Sequence, residues 1–183
     1  MEELEKKEGM IRAVSENLFA EEGVSVFAAL DGASVPGLLM RLYADQPEYA
    51  CLYRGELEPD MAEVAPYLVR LAPEADFTDW VIGQGWGNHW GIFAVTHEDL
   101  RAMRRHFRTF LMVYDEAGKP LYFRYYDPRV LRPYLPTCNG GELSQIFGPV
   151  LYYLLEDEEP ASALRFSVRE GSLREERLAL AES

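Results

Sequence analysis

Hydrophobic and polar positions along the chain follow two periods, and the switches between them mark its elements. Residues 2–20 carry sparse apolar positions at Leu4, Met10, Ile11, Val14 and Leu18, the pattern of a helix with a broad polar face. The stretch "VSVFAALDGA" (24–33) is a β-branched and aromatic run stopped by Asp31-Gly32, which predicts a buried strand and a turn. Ser34 and Pro36 read as a helix start, with Leu38, Leu39, Leu42 and Tyr43 at helical spacing. "ACLYRG" (50–55) reads as a second short strand, so the strand–helix–strand order suggests a parallel crossover unit. An apolar segment "VAPYLVRL" (64–71) and a helix over "DFTDWVIGQ" (76–84), ending near Gly83 or Gly85, come next.

The clearest helix spans 97–109. Thr96 and Asp99 stand at capping-box spacing, with Asp in the usual Glu/Gln place. At 3.6 residues per turn Leu100, Met103, Phe107, Phe110 and Leu111 share one arc, and Arg101, Arg104, Arg105 and Arg108 share another. Two β-type runs then flank "DEAGKP", a hairpin turn with Gly118. In the second run Leu121, Phe123 and Tyr125 point one way, and Tyr122, Arg124 and Tyr126 the other. Asp127-Pro128 opens a short helix as N-cap and first helical residue, and Pro133 limits it. "GGELSQIFGPVLYYLLE" (140–156) reads as a helix, a break at Gly148-Pro149 and a strand. "EDEEP" (156–160) reads as a solvated acidic linker, "ALRFSVRE" (163–170) as a strand, and Ser172 with Glu175 as the cap of a C-terminal helix bearing Leu173, Leu178 and Leu180. The expected fold is a single α/β or α+β domain, a mixed sheet flanked by helices. Its main part covers 1–155, and 156–183 forms a short C-terminal extension.

Composition narrows the partners. The 183 residues carry a net charge of −13, yet residues 101–132 hold eight Lys/Arg against three Asp/Glu, a net of +5. An acidic body argues against nucleic acid or an anionic membrane as the main partner. Fifteen of the eighteen basic residues are arginine, whose planar donor fork suits protein contacts and ion pairs. Cys51 and Cys138 stand far apart with no C-x-x-C, and the charged N-terminus is neither a signal peptide nor an anchor, so a reducing cytoplasm is the expected setting.

No motif of catalysis or of metal or cofactor binding stands out. His97-Glu98 lacks the second histidine of H-E-x-x-H, and His106 sits among arginines that would oppose a cation. "GQGWGNHWG" (83–91) lacks the spacing of a phosphate loop; it presents Trp86 and Trp90 as core plugs or as contact anchors. Asp127 reads as an N-cap, with a general base as the alternative. The four-arginine stripe is either a face solvated or paired within the chain, or a dock for an acidic or polar protein surface that Arg124 or Arg129 would extend.

Several segments in order carry a family resemblance: the strand ending Leu30-Asp31-Gly32-Ala33, Pro66-Tyr67-Leu68-Val69, Gly85-Trp86, the helix with Leu100, Arg101 and His106, the run Phe123-Arg124-Tyr125-Tyr126-Asp127-Pro128-Arg129, and Phe147-Gly148-Pro149. Across about residues 24–150 the chain resembles the effector chaperones or adaptors of bacterial type VI secretion, the Tap/TEC adaptors. The resemblance implies a non-enzymatic cytoplasmic protein without a cofactor. Such a protein binds a toxic effector, often near its N-terminal or PAAR-containing region, and helps load it onto the VgrG spike. It implies structural roles for Asp31, Gly32, Asp127, Pro128, Gly148 and Pro149. The competing readings are an immunity-type protein that neutralises a toxin, and a small enzyme using Asp127 with His89 or His97.

Overall fold

Alternate residues of the central strands face opposite ways, and the chain covers both faces with helices. The computed structural model describes residues 2–180 and the side chains of 5–180; Leu4, assigned above to the first helix's apolar side, lies outside those side chains. The elements run α1 (Glu2–Leu18), β1 (Ser25–Asp31), α2 (Leu38–Asp45), β2 (Tyr49–Cys51), α3 (Pro59–Val64), β3 (Pro66–Leu71), α4 (Asp76–Gly85), β4 (Gly91–Thr96) and α5 (Leu100–Thr109). They continue with β5 (Met112–Tyr114), β6 (Pro120–Tyr122), α6 (Pro128–Tyr134), α7 (Gly140–Phe147), β7 (Val150–Glu156), β8 (Ser162–Arg169) and β9 (Ser172–Ala179).

Among the described residues, seven strands form one sheet in the order β2-β3-β1-β4-β7-β8-β9, and β5 pairs only with β6. On one face Val26, Ala28, Leu30, Val69, Val95 and Leu154 meet Val14 and Leu18 of α1, Leu38 and Leu42 of α2, and Phe77, Val81 and Ile82 of α4. On the other face Phe27, Ala29, Leu68, Ala94, Tyr153 and Phe166 meet Met103 and Phe107 of α5, Leu131 of α6, and Leu143, Ile146 and Phe147 of α7. The result is a three-layer α/β/α arrangement of the expected α/β class, each layer closing an apolar surface the others leave open.

Five expectations about the elements are corrected. The sheet is not mixed: each neighbouring pair of its strands runs antiparallel. β1 and β2 do point the same way, but β3 lies between them, so β1-α2-β2 is a split crossover rather than a parallel pair. The expected C-terminal helix is strand β9, paired with β8 over its full length around the two-residue turn Glu170-Gly171. Both turn residues have positive φ, 51° and 74°, which fits a hairpin turn whose twist matches the strands. Leu173 then packs on one face of the sheet and Leu178 on the other, as strand alternation requires and a helical stripe does not.

The "EDEEP" stretch is a solvated linker only in its second half: Glu156 ends β7 and both it and Asp157 are buried, while Glu158, Glu159 and Pro160 are exposed. The 123–127 segment is not strand, because β6 stops at Tyr122 and both Tyr125 and Tyr126 are buried.

Local caps also differ from the reading. Asp99, not Thr96, caps α5, accepting from the Ala102 amide at 2.8 Å. Ser34 donates its hydroxyl to Asp31 at 2.8 Å instead of capping α2, which begins after Gly37 at φ 72°. Asn139 and Glu142 form a full capping box on α7.

Candidate partner-binding face

Helix α5 lays Met103 and Phe107 into the core, and the same geometry turns Arg101, Arg104 and Arg105 outward as exposed side chains. The fourth arginine has another task. Arg108 donates to the carbonyls of Leu52 and Cys51 at 3.0 Å each and to that of Tyr53 at 2.6 Å. These bonds fasten the segment after β2 against α5, and they bring Arg54, which the periodicity did not single out, to the stripe. Arg54, Arg101, Arg104, Arg105 and Arg108 together line a concavity of about 250 Å³. Burial lowers the Arg108 pKa, and the charges of Arg104 and Arg54 lower it further. Among the described residues no carboxylate lies within ion-pairing distance of these five, while seven other arginines have one.

Arg124 and Arg129 do not extend the stripe by free guanidiniums. Arg124 pairs with Asp31 at the end of β1, whose carboxylate also accepts from the Ala33 amide and the Ser34 hydroxyl. Burial acts to lower the Arg124 pKa, but the Asp31 carboxylate raises it overall. Asp127 caps α6 as the Asp-Pro pattern indicates, accepting from the Arg129 amide at 2.9 Å, and its Oδ2 takes the Arg129 guanidinium at 2.8 Å. Burial alone would push the Asp127 carboxyl up; the Arg129 hydrogen bonds and the Arg129 and Arg124 charges hold it below the ordinary value.

β1 and β7 run in the same direction, so Asp31 and Glu156 end on the same side of the sheet. Glu156 pairs with His89 and accepts from the Gly87 amide at 2.6 Å. The backbone donor of the glycine loop is therefore committed within the chain. Arg177 of β9 lies 3.0 Å from Asp157, and Arg132 donates to the Glu156 carbonyl at 2.9 Å. Glu156, Asp157, Arg132 and Arg177 were missed because each partner lies far away in sequence.

Trp86 and Trp90 are core residues. Both are 8% exposed, and Trp86 donates its indole N–H to the Pro160 carbonyl at 2.9 Å. Trp90 packs on Trp80 with ring centroids 4.8 Å apart. As contact anchors they have no exposed ring to offer.

The three groups considered for an enzyme engage different partners. His89 meets Glu156, Asp127 meets Arg129, and His97 approaches the Gly23 carbonyl at 3.3 Å. Among the described residues no three His, Cys, Asp or Glu side chains gather as a metal-binding group, and no helix is long and apolar enough to cross a membrane.

The remaining signature residues have structural reasons. A Cβ on Gly32 would lie 2.3 Å from the Ala65 carbonyl oxygen, so only glycine permits this approach of β1's end to the start of β3. Pro128 opens α6, and the Pro149 carbonyl accepts from the Thr96 hydroxyl at 2.8 Å. Gly148 has φ 45°, and a Cβ there would lie 2.6 Å from the His106 ring.

A family model described as a domain of unknown function, DUF4123, matches residues 26–145. No curated protein and no solved structure matches the chain.

Proposed function

Since the chain belongs to the DUF4123 family, a domain of unknown function, we propose that it is a cytoplasmic, non-enzymatic adaptor of type VI secretion. In this reading it binds an effector protein, near the effector's N-terminal or PAAR region, and helps load it onto the VgrG spike. One observation carries the binding role. The side chains that would serve a reaction are engaged by structural partners, whereas five arginines in a chain of net charge −13 stand together without a counter-charge among the described residues. Uncompensated like charges in one concavity repel one another, and an acidic partner relieves that repulsion.

The test is co-purification with the products of neighbouring genes, followed by deletion and a secretion assay. The expected result is one co-purifying effector whose export is lost on deletion and restored by the gene in trans. Normal export without this protein overturns the proposal. Protection of cells from the toxin domain, with export unaffected, assigns the chain to toxin neutralisation instead.

A further inference from the structure

We infer that the five-arginine concavity and the adjoining β5–β6 hairpin form one docking surface, and that its occupant is an acidic segment of a protein partner with apolar side chains between its carboxylates. The partner's role in loading rests on the adaptor reading above; its chemistry rests on the residues alone.

The two halves are joined by the segment after β2. Arg108 holds the carbonyls of Cys51, Leu52 and Tyr53, which sets Arg54 beside α5. The Tyr53 ring meets the ring of Tyr122 on β6, with centroids 5.2 Å apart. Arginines on one side of Tyr53 thus continue into the hairpin on the other.

The hairpin is unusually apolar for an exposed element. Met112, Val113, Tyr114, Leu121 and Tyr122 are 40%, 39%, 70%, 45% and 57% exposed, and among the described residues its strands join no other sheet. Arginine, tyrosine and methionine in one exposed area are the residue types enriched where proteins meet.

Charge selects among occupants. Four exposed guanidiniums, those of Arg54, Arg101, Arg104 and Arg105, call for several carboxylates or phosphates, while Arg108 is committed to the carbonyls beside them. A nucleic acid would bring a long phosphate chain against a body of net charge −13. A small free oxyanion would leave the apolar hairpin uncovered. A polypeptide that alternates carboxylates with apolar side chains satisfies both halves, its acids on the arginines and its apolar groups on the tyrosines.

The experiment titrates the full chain against a labelled synthetic peptide alternating Glu with Leu and Tyr, read by fluorescence anisotropy. Binding is expected at low salt, weakening on the order of tenfold as salt rises to physiological strength. Arg101→Glu with Arg105→Glu is expected to lose at least about tenfold in affinity, and Tyr122→Ala about fivefold. These side chains are exposed, so unchanged thermal unfolding checks that the variants fold. Arg174→Glu, on exposed β9, is expected to bind as the parent does, and the Gln version of the peptide not at all.

Unchanged binding by the double charge reversal overturns the inference. So does a polyglutamate peptide that binds as tightly while Tyr122→Ala has no effect, which reduces the surface to an ion site. A self-associating parent that becomes monomeric on charge reversal names a second copy as the occupant and overturns it too. If the peptide fails while an effector still co-purifies, only this surface is removed; if no effector co-purifies but the peptide binds, only the adaptor role is.

Discussion

The guanidinium of Arg124 rests on the carboxylate of Asp31, 93 residues earlier in the chain. This contact ties the irregular segment after the hairpin to the end of the central strand. Asp31 is 2% exposed while the Arg124 side chain is 47% exposed. Asp31→Ala strands three donors and is expected to cost about 2–4 kcal/mol. Arg124→Ala leaves the buried Asp31 carboxylate without its counter-charge, but the carboxylate stays bonded to Ala33 and Ser34, which limits the expected cost to about 1–2 kcal/mol. Urea unfolding of both single variants and the double variant checks this, and the pair should be clearly non-additive.

Trp86→Ala is expected to act on stability and not on partner contact. The ring is buried and its N–H is bonded to Pro160, so truncation should cost about 3–5 kcal/mol. Thermal unfolding should show a large loss, while any residual folded protein keeps the peptide affinity of the parent.

The arginine stripe should divide by substitution. Arg108→Gln strips donors from the carbonyls after β2 and is expected to destabilise by about 1.5–3 kcal/mol. Arg101→Gln, on an exposed side chain, should stay within about 0.5 kcal/mol of the parent. Equal stabilities would show that the Arg108 contacts contribute nothing.

Gly148→Ala is expected to destabilise by about 1–3 kcal/mol, since the position combines φ 45° with a ring where the Cβ would go. The same change made in His106→Ala should cost less, because the ring is then absent. A cost unchanged by removing the ring would place the whole effect in the backbone.

His106 gives the fold a pH dependence of known sign. Burial lowers its pKa, outweighing the bond to the Ile146 carbonyl at 2.9 Å that favours the charged form. As pH falls through about 6.5 the unfolded chain takes up this proton before the folded one does, so stability falls with pH. The slope from this one group is at most about 1.4 kcal/mol per pH unit. Asp127 acts lower. Its depressed pKa supports the fold above the ordinary carboxylate range, and that support is lost as pH drops through the folded value. Unfolding measured from neutral to acid should flatten near pH 6 in His106→Gln and near pH 4 in Asp127→Asn.

Elements with a local signal, a one-sided apolar arc, a continuous apolar run or a capping pair, were legible from the residues. α5 follows its two arcs, β1 its β-branched run, and α6 its Asp-Pro start. What was not legible depends on partners distant in sequence. β9 is rich in Leu, Arg, Glu and Ala, all good helix formers, and only its pairing with β8 through Glu170-Gly171 overrides that preference. Asp157 reads as one acid among several until Arg177 arrives from the next hairpin strand. Arg54 carried no signal, since Arg108 places it through backbone carbonyls. For Trp86 and Trp90, aromatic residues between glycines suit a plug or an anchor equally, and only burial separates the two.

The two ends of the sheet differ in kind. β2 offers a partner only three residues, and β9 places Arg174, Glu175, Glu176 and Arg177 along its outer margin. A short edge and a charged edge both discourage strand addition by another chain. A molecule with such margins resists polymerising through its own sheet, even at high concentration.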